Sequence, residues 1–253
     1  MKFVGIIPAR YASTRFPGKP LADMLGKPMI QRVYEQVADQ LDDVLVATDD
    51  RRIYEAVSSF GGKAIMTSDK HTSGTERCYE AYTRLGATYD VVINIQGDEP
   101  FIKPAQITLL QACFNDADTQ IATLIKPFKP EDGFEALFNA NTPKVVVNNR
   151  MQAIYFSRSI IPYLRGKEYA EWLQLHTFYK HIGLYAYKAD VLAAITALPQ
   201  SKLEMAESLE QLRWLENGYI IKTGITHEET IGIDTPEDMK HALAVLQSTH
   251  ETE

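Results

Sequence analysis

The sequence predicts an α/β fold, a mostly parallel sheet with helices on both faces joined to a smaller mixed or antiparallel lobe. Three observations lead there. Short continuous apolar runs recur, as in FVGIIP (3–8), VLVAT (44–48) and VVINIQ (91–96), the pattern of strands buried on both faces. Segments with a helical apolar period lie between them. Charged or glycine-bearing residues follow these runs directly, at the carboxyl ends of the strands, where open α/β sheets bind ligands.

The elements follow in order. After the strand at 3–8, Met29 to Leu41 carries apolar residues at Met29, Ile30, Val33, Val37 and Leu41, a helix period. The strand 44–48 runs into Asp49-Asp50, and a helix from 51 to 60 stops at Gly61-Gly62. KAIMT (63–67) reads as a third strand, Thr75 to Leu85 as a helix, and 91–96 as a strand leading into Gly97-Asp98-Glu99-Pro100. Pro104 opens a further helix at its favoured first position. This alternation implies a parallel sheet. The second half is less regular. Strands are expected at 143–149 and 152–158, joined by a turn near Asn149-Arg150, and at 180–187 and 219–225. A single helix is expected over 203–218, stopped by Gly218, with Trp214 either in the core or across a dimer contact. Thr235, Pro236 and Asp238 form a capping-box start for the last helix. With no repeat or linker evident, the chain reads as one domain, an α/β nucleotide-binding core with an antiparallel substrate lobe.

Composition narrows the function. The 253 residues, 45% hydrophobic and 23% charged, suit a globular protein with one continuous core. A net charge of -7 argues against a general nucleic-acid binder, which needs excess Lys and Arg to replace phosphate counterions. A small anion responds instead to the local field of a cleft. Cys78 and Cys113 lie among apolar neighbours and read as buried reduced thiols. The opening apolar run is too short for a signal peptide, and no stretch reaches the roughly 18 apolar residues of a membrane span. The expected location is the cytoplasm. The six histidines show no zinc-like spacing, and covalent-catalysis signatures such as G-x-S-x-G are missing.

Four segments carry chemistry. PARYASTRFPGKPL (8–21) gathers Arg10, Arg15 and Lys19, with Ser13 and Thr14 as neutral donors. It is neither a Walker A loop nor a dinucleotide fingerprint, because Pro20 follows Gly18-Lys19 and G-x-G-x-x-G is missing. It reads either as a solvated basic loop or as a receptor for a triphosphate, and its place beyond the first strand, among Pro8, Pro17 and Pro20, favours the receptor. Asp98 ends an apolar strand, either in a surface turn or as a ligand of a cation. Asp234 in TIGIDTPED (230–238) again ends an apolar stretch, and Thr235 already fills the cap. Asp98 and Asp234 together could hold one Mg2+, with phosphate oxygens and water completing its shell. SGTER (73–77) offers a helix N-terminus to an acceptor, with Arg77 suited to a pyrimidine carbonyl, and it also reads as a capping box of Ser73 with Glu76. Paired carboxylates for glycoside chemistry stay open, but the cationic loop has no role there.

Taken in order, IIPARYASTRFPGKPL, MTSDKHTSGTERCYEA, VVINIQGDEP, IYFSRSIIP, LEQLRWLENG and GIDTPED resemble the CMP-KDO synthetases, the 3-deoxy-manno-octulosonate cytidylyltransferases, over essentially the whole chain. The resemblance implies a Rossmann-like three-layer nucleotide-diphospho-sugar transferase core with a mixed substrate and dimerisation lobe. Residues 1–130 would mainly bind CTP, 131–225 would mainly bind sugar and form the dimer, and 226–253 would return to the core. The implied reaction joins CTP and 3-deoxy-D-manno-octulosonate (KDO) to give CMP-KDO and pyrophosphate for the inner core of lipopolysaccharide, in a Mg2+-dependent homodimer. The resemblance assigns Ala9, Arg10, Ser13, Arg15 and Lys19 to the triphosphate loop, and Ser73, Gly74, Arg77 and Gln96 to the rest of the nucleotide site. Asp98 and Asp234 are the implied metal ligands, and Arg10, Arg15, Lys19 and Asp98 the implied catalytic groups. Arg158 would face the acidic sugar, where a guanidinium suits a carboxylate, with His181, Tyr185, Glu210 and Gln211 in the sugar pocket. The alternatives are an 8-amino KDO or other acid sugar such as sialic acid, a sugar phosphate as acceptor, and a nucleotide-binding regulatory protein without catalysis.

Overall fold

The computed structural model describes residues 1–12, 16–228 and 232–250. The chain divides into two compact units, one containing Met1–Ile107 and the C-terminal helix, the other Thr108–Glu228.

The first unit begins with β1 (Phe3–Ala9), α1 (Met29–Val37), β2 (Asp43–Thr48), α2 (Arg51–Ser59), β3 (Ala64–Met66), α3 (Gly74–Leu85) and β4 (Val91–Asn94). Its strands lie in the order β3-β2-β1-β4, and every pairing among them is parallel, as the alternation of elements requires. Val4, Ile6 and Ile7 of β1, Leu45 and Val46 of β2 and Val91 to Ile93 of β4 are fully buried, which is why these strands read as unbroken apolar runs. Val33 and Val37 of α1, Ile53 and Val57 of α2 and Cys78 and Ala81 of α3 are buried too, each pair at a helical spacing of four or three. Asp50 caps α2 by accepting Arg52 N–H at 2.9 Å.

The chain continues with α4 (Pro104–Cys113), β5 (Ile121–Pro127), α5 (Gly133–Phe138), β6 (Lys144–Val147), β7 (Ala153–Ser157), α6 (Trp172–Leu175), β8 (Tyr179–Lys188), α7 (Ala189–Thr196), α8 (Lys202–Glu207), α9 (Gln211–Glu216), β9 (Ile221–Ile225) and α10 (Pro236–His250). In the second unit β5 pairs antiparallel with β8 and parallel with β9, while β6 pairs antiparallel with β7 and β8. The hairpin expected after residue 143 is present, and Met151 takes a left-handed φ of 57° in its turn. Strand β5 and helices α5 and α7 go beyond the sequence-based expectation. β5 has no flanking glycine or proline signal at its start, and α5 and α7 span only 6 and 8 residues, too short to show a period.

The single helix expected over 203–218 is corrected to two. Ser208 is left-handed (φ 51°, ψ 48°) and ends α8. Arg158 makes the break stable by donating to Glu207 O at 2.6 Å and Ser208 O at 3.3 Å, carbonyls that a continuous helix would have used. A buried bidentate pair, Arg213 with Glu204 at 2.8 and 2.5 Å, ties α9 back to α8. Trp214 packs edge-on to Tyr185 and Tyr187 and is core within its own unit.

One cluster of the first unit positions the site. Met24 and Met29, near the start of α1, pack with Ile233, Met239 and Ala242, and Phe16 and Phe101 close around them. Ile233 N–H also donates to Asp98 O at 2.9 Å. The C-terminal segment is thereby laid against the loop after β4. The capping box is formed, because Asp238 accepts Thr235 N–H at 2.8 Å while Thr235 Oγ1 accepts Asp238 N–H at 3.2 Å.

A Cβ on Gly97 would lie 2.9 Å from Pro8 O, so the loop after β4 approaches the end of β1 closer than any other residue allows. Gly97→Ala is expected to cost about 1–3 kcal/mol through the forced backbone shift, read as a lowered midpoint of urea unfolding.

Candidate nucleotide site

Beyond the carboxyl ends of β1 and β4 lies a cleft of about 260 Å³. Its wall includes Ala9 and Arg10 from the end of β1 and Lys19 from a 3-10 turn. Ser73, Gly74 and Arg77 come from the start of α3, Gln96 and Asp98 from the loop after β4, and Asp234 from the lead into α10. Nine of the eleven residues assigned from sequence to nucleotide and metal therefore converge on one cleft. The other two, Ser13 and Arg15, lie outside the described residues. The cleft also takes in Pro8 and Pro20, which flank the cationic loop, and His71, Thr72 and Gly97, to which the sequence pattern assigns no role in the site.

Local structure explains each placement. Gly18 adopts φ 72° and donates its N–H to Tyr11 O at 2.9 Å, which brings residue 18 back beside residue 11. The Tyr11 ring sits 3.3 Å beneath the Arg52 guanidinium, which anchors the near side of the loop on α2. Pro20 then fixes the first turn that carries Lys19. Lys19 Nζ donates to Asp98 Oδ2 at 2.8 Å and to Ile233 O at 2.7 Å, and lies 3.3 Å from Asp234 Oδ1. The two aspartates thus face one cation-sized point. Neighbouring Glu99 has a buried Oε2 with no hydrogen-bond partner among the described residues, and burial, helped by the charge of Asp98, pushes its pKa up to about 7.

Arg77 lines the cleft but is already engaged. It donates to Thr67 Oγ1 and to Asp49 Oδ2, each at 2.7 Å, and is almost wholly buried. The Asp49-Asp50 pair is accounted for by this ion pair and by the cap of α2. Ser73 Oγ accepts Glu76 N–H at 3.2 Å, so SGTER is a helix cap and a cleft wall together.

The residues assigned to the sugar lie in the second unit. On β8, His181 and Tyr185 have ring centroids 5.2 Å apart, beside an irregularity in the pairing with β5 where Thr123 Oγ1 lies 3.1 Å from His181 Nε2 and 2.9 Å from Leu184 O. Burial drives the His181 pKa down to about 3 and raises that of the Tyr185 phenol well above its ordinary value. Both are neutral hydrogen-bonding groups at pH 7. Glu210 and Gln211 open α9, and Gln211 Nε2 is buried with no partner among the described residues. Arg158 is held at the end of α8. It lines an aromatic pocket of about 400 Å³ with Phe134, Tyr163, Tyr169 and Trp172. Besides its bonds at the end of α8, it donates to Ala140 O at 3.0 Å. The fully buried Lys144 supports it, with Nζ held by the carbonyls of Asn139, Thr142 and Arg158 at 3.0, 2.8 and 2.7 Å. No sequence signal marks Lys144, which sits in a strand like any other lysine.

A parallel α/β sheet with cations and carboxylates gathered beyond its strand ends defines a nucleotidyltransferase core. The chain belongs to the cytidylyltransferase family, whose model matches residues 4–231. It is 73% identical over 247 residues to a 3-deoxy-manno-octulosonate cytidylyltransferase of Parabacteroides distasonis, covering 97% of this chain and 98% of that one. It is 45% identical to a protein of the same name from Geobacter metallireducens, over 97% of this chain and 98% of that one. Among solved structures, a CMP:2-keto-3-deoxy-manno-octonic acid synthetase complexed with CTP superposes with a TM-score of 0.89 at 45% identity, covering 98% of this chain and all of that one. A 4-diphosphocytidyl-2C-methyl-D-erythritol synthase from Anaerococcus prevotii, at 14% identity and a TM-score of 0.61 over 97% and 99% of the two chains, shares the Rossmann-like fold alone.

His181 gives stability a pH dependence. Below its ordinary value of 6.5 the unfolded chain takes up a proton there, while the folded chain does not until about pH 3. Stability is expected to fall with pH across that window, by up to about 1.4 kcal/mol per unit from this group. Urea midpoints of wild type and His181→Gln at pH 7, 6 and 5 check this, with a shallower decline expected for the variant.

Proposed function

We propose that the protein transfers the cytidylyl group of CTP to KDO, giving CMP-KDO and pyrophosphate for the inner core of lipopolysaccharide. The observation that carries this reading is the full-length match to a synthetase complexed with CTP, coupled to a cleft in this chain that gathers the cations and carboxylates a triphosphate needs. The anomeric hydroxyl of the sugar forms a bond to the α-phosphorus, the bond to the β-phosphate oxygen breaks, and the hydroxyl proton passes to solvent.

The chain's work is positioning and charge stabilisation. Arg10 and Lys19, joined by Arg15 and Ser13, receive the phosphates, and Lys19 offsets charge developing on the leaving group. Ser73, Gly74, Arg77 and Gln96 form the nucleotide wall, with Arg77 held rigid by Asp49. His181, Tyr185, Glu210 and Gln211 offer the sugar hydrogen bonds, and Arg158 offers its carboxylate a charge.

Mg2+ is the proposed cofactor. Asp98 and Asp234 fit it, because the Lys19 ammonium already lies within reach of both carboxylates. Two carboxylates, and among the described residues no third acidic, His or Cys ligand grouped with them, suit an ion that completes its shell with phosphate oxygens and water. When bound it would neutralise phosphate charge and lower the pKa of the sugar hydroxyl.

The reading extends to location and assembly. No helix of the described residues is long and apolar enough to cross a membrane, and two buried free thiols suit the reducing cytoplasm. A homodimer is proposed from the second unit's surface, where Phe138, Tyr163 and Tyr169 are 68%, 66% and 54% exposed around the aromatic pocket. Light scattering is expected to return about twice the 28.5 kDa chain mass, and a monomer would refute it.

The direct test is pyrophosphate release with Mg2+ and KDO, offering CTP, UTP, GTP or ATP. Release with CTP alone, abolished by a chelator, is expected. Asp98→Asn should lower kcat by about 10²–10³-fold. Release with another acid sugar but not KDO would move the substrate, and full turnover by the Asp98→Asn variant would overturn the metal assignment.

A further inference from the structure

The cleft wall from His71 to Gly74 belongs to the connection between β3 and α3, and one face of α3 fastens it. Glu76, Glu80 and Arg84 are spaced four apart and align along that face. Glu76 accepts Thr72 N–H at 2.8 Å. Glu80 accepts Ser68 N–H at 2.8 Å and contacts both His71 Nε2 and the Arg84 guanidinium. Arg84 in turn donates to Met66 O at 2.6 Å. The connection is therefore gripped at residues 66, 68, 71 and 72, while Asp69 and Lys70 lie at its tip.

Glu80 does not line the cleft, but His71 does. The imidazole is set by both carboxylates, through the Glu80 contact at Nε2 and Glu76 Oε2 lying 3.7 Å from Nδ1. Burial raises the Glu80 pKa, yet Ser68 N–H, His71 and Arg84 outweigh it and hold the carboxyl below its ordinary range. Glu80 is thus ionised at neutral pH, and its bonds to the connection are charge-assisted. A purely structural pair would tie helix to strand anywhere along α3. Here two of the tied residues, His71 and Thr72, line the cleft.

We propose that Glu80, acting through His71, is a positioning residue for nucleotide binding. It fixes the wall against which the cytidine part of CTP rests, and it leaves the phosphate chemistry at Lys19 and Asp98 untouched. The proposal rests on the reading that the cleft binds CTP.

The test is calorimetric CTP binding without sugar, followed by steady-state kinetics, on wild type, Glu80→Ala, Glu80→Gln, His71→Ala and the Glu80→Ala/His71→Ala double variant. Glu80→Ala is expected to weaken CTP binding and raise its KM about tenfold, with kcat and the KM for KDO within about twofold. Glu80→Gln should recover most of the loss, because an amide oxygen in the place of Oε2 still meets both Ser68 N–H and His71 Nε2. His71→Ala should match Glu80→Ala, and the double variant should be no worse than either, since the two act as one unit. Unchanged CTP affinity, losses that add in the double variant, or a kcat that falls as far as the affinity would each overturn the proposal. Should Glu80→Ala fail to fold, His71→Ala with wild-type CTP affinity would overturn it equally. A wild type that binds CTP but releases no pyrophosphate with KDO would defeat the proposed reaction alone, and one that does not bind CTP would defeat both.

Discussion

Lys19 holds three chain-distant pieces of the first unit together through one ammonium group. It donates to Asp98 after β4 and to Ile233 before α10, lies close to Asp234, and itself stands on the turn that follows β1. Two carboxylates crowded at the end of a sheet repel each other, and bringing them together requires a cation. Lys19 supplies that charge. The apolar cluster of Met24, Met29, Ile233 and Met239 provides the attraction that lets the C-terminal segment reach this point, so the electrostatic centre of the cleft depends on packing behind it.

The cleft is stiff at the start of α3 and charged around Lys19. Arg77 is clamped by Thr67 and Asp49, and the β3–α3 connection is held by the acidic face of α3. Each clamp uses charge-assisted bonds in partly buried surroundings, where they are stronger than in water. The same logic recurs in the second unit. Lys144 sits among three carbonyls, one of them that of Arg158, and Arg158 spans the break between α8 and α9. A cation that organises backbone carbonyls fixes its own position as well.

Two buried polar groups of the second unit follow a different rule. His181 and Tyr185 are kept neutral by burial, which suits them to donate and accept hydrogen bonds with a hydroxylated ligand and not to carry charge.

The first half of the fold was legible because β1, β2 and β4 are buried on both faces and α1, α2 and α3 carry their buried residues at a helical period. Most cleft residues were legible because parallel strands place whatever follows them at one end of the sheet, which is how Lys19, Ser73 and Asp98 group together, while Asp234 is brought to them by the packing of Ile233. What sequence alone determined was this order of elements and the chemistry at their ends, both set by local pattern. What only the tertiary structure decided rests on partners far away in the chain. Ser208 breaks a helix because Arg158, 50 residues earlier, takes its carbonyl. β5 is a strand because β8 and β9 flank it, Arg77 is a clamped residue because Asp49 sits at the end of another strand, and Glu80 matters because His71 folds back onto it. None of these leaves a periodic trace, since a contact between distant residues constrains no spacing along the chain.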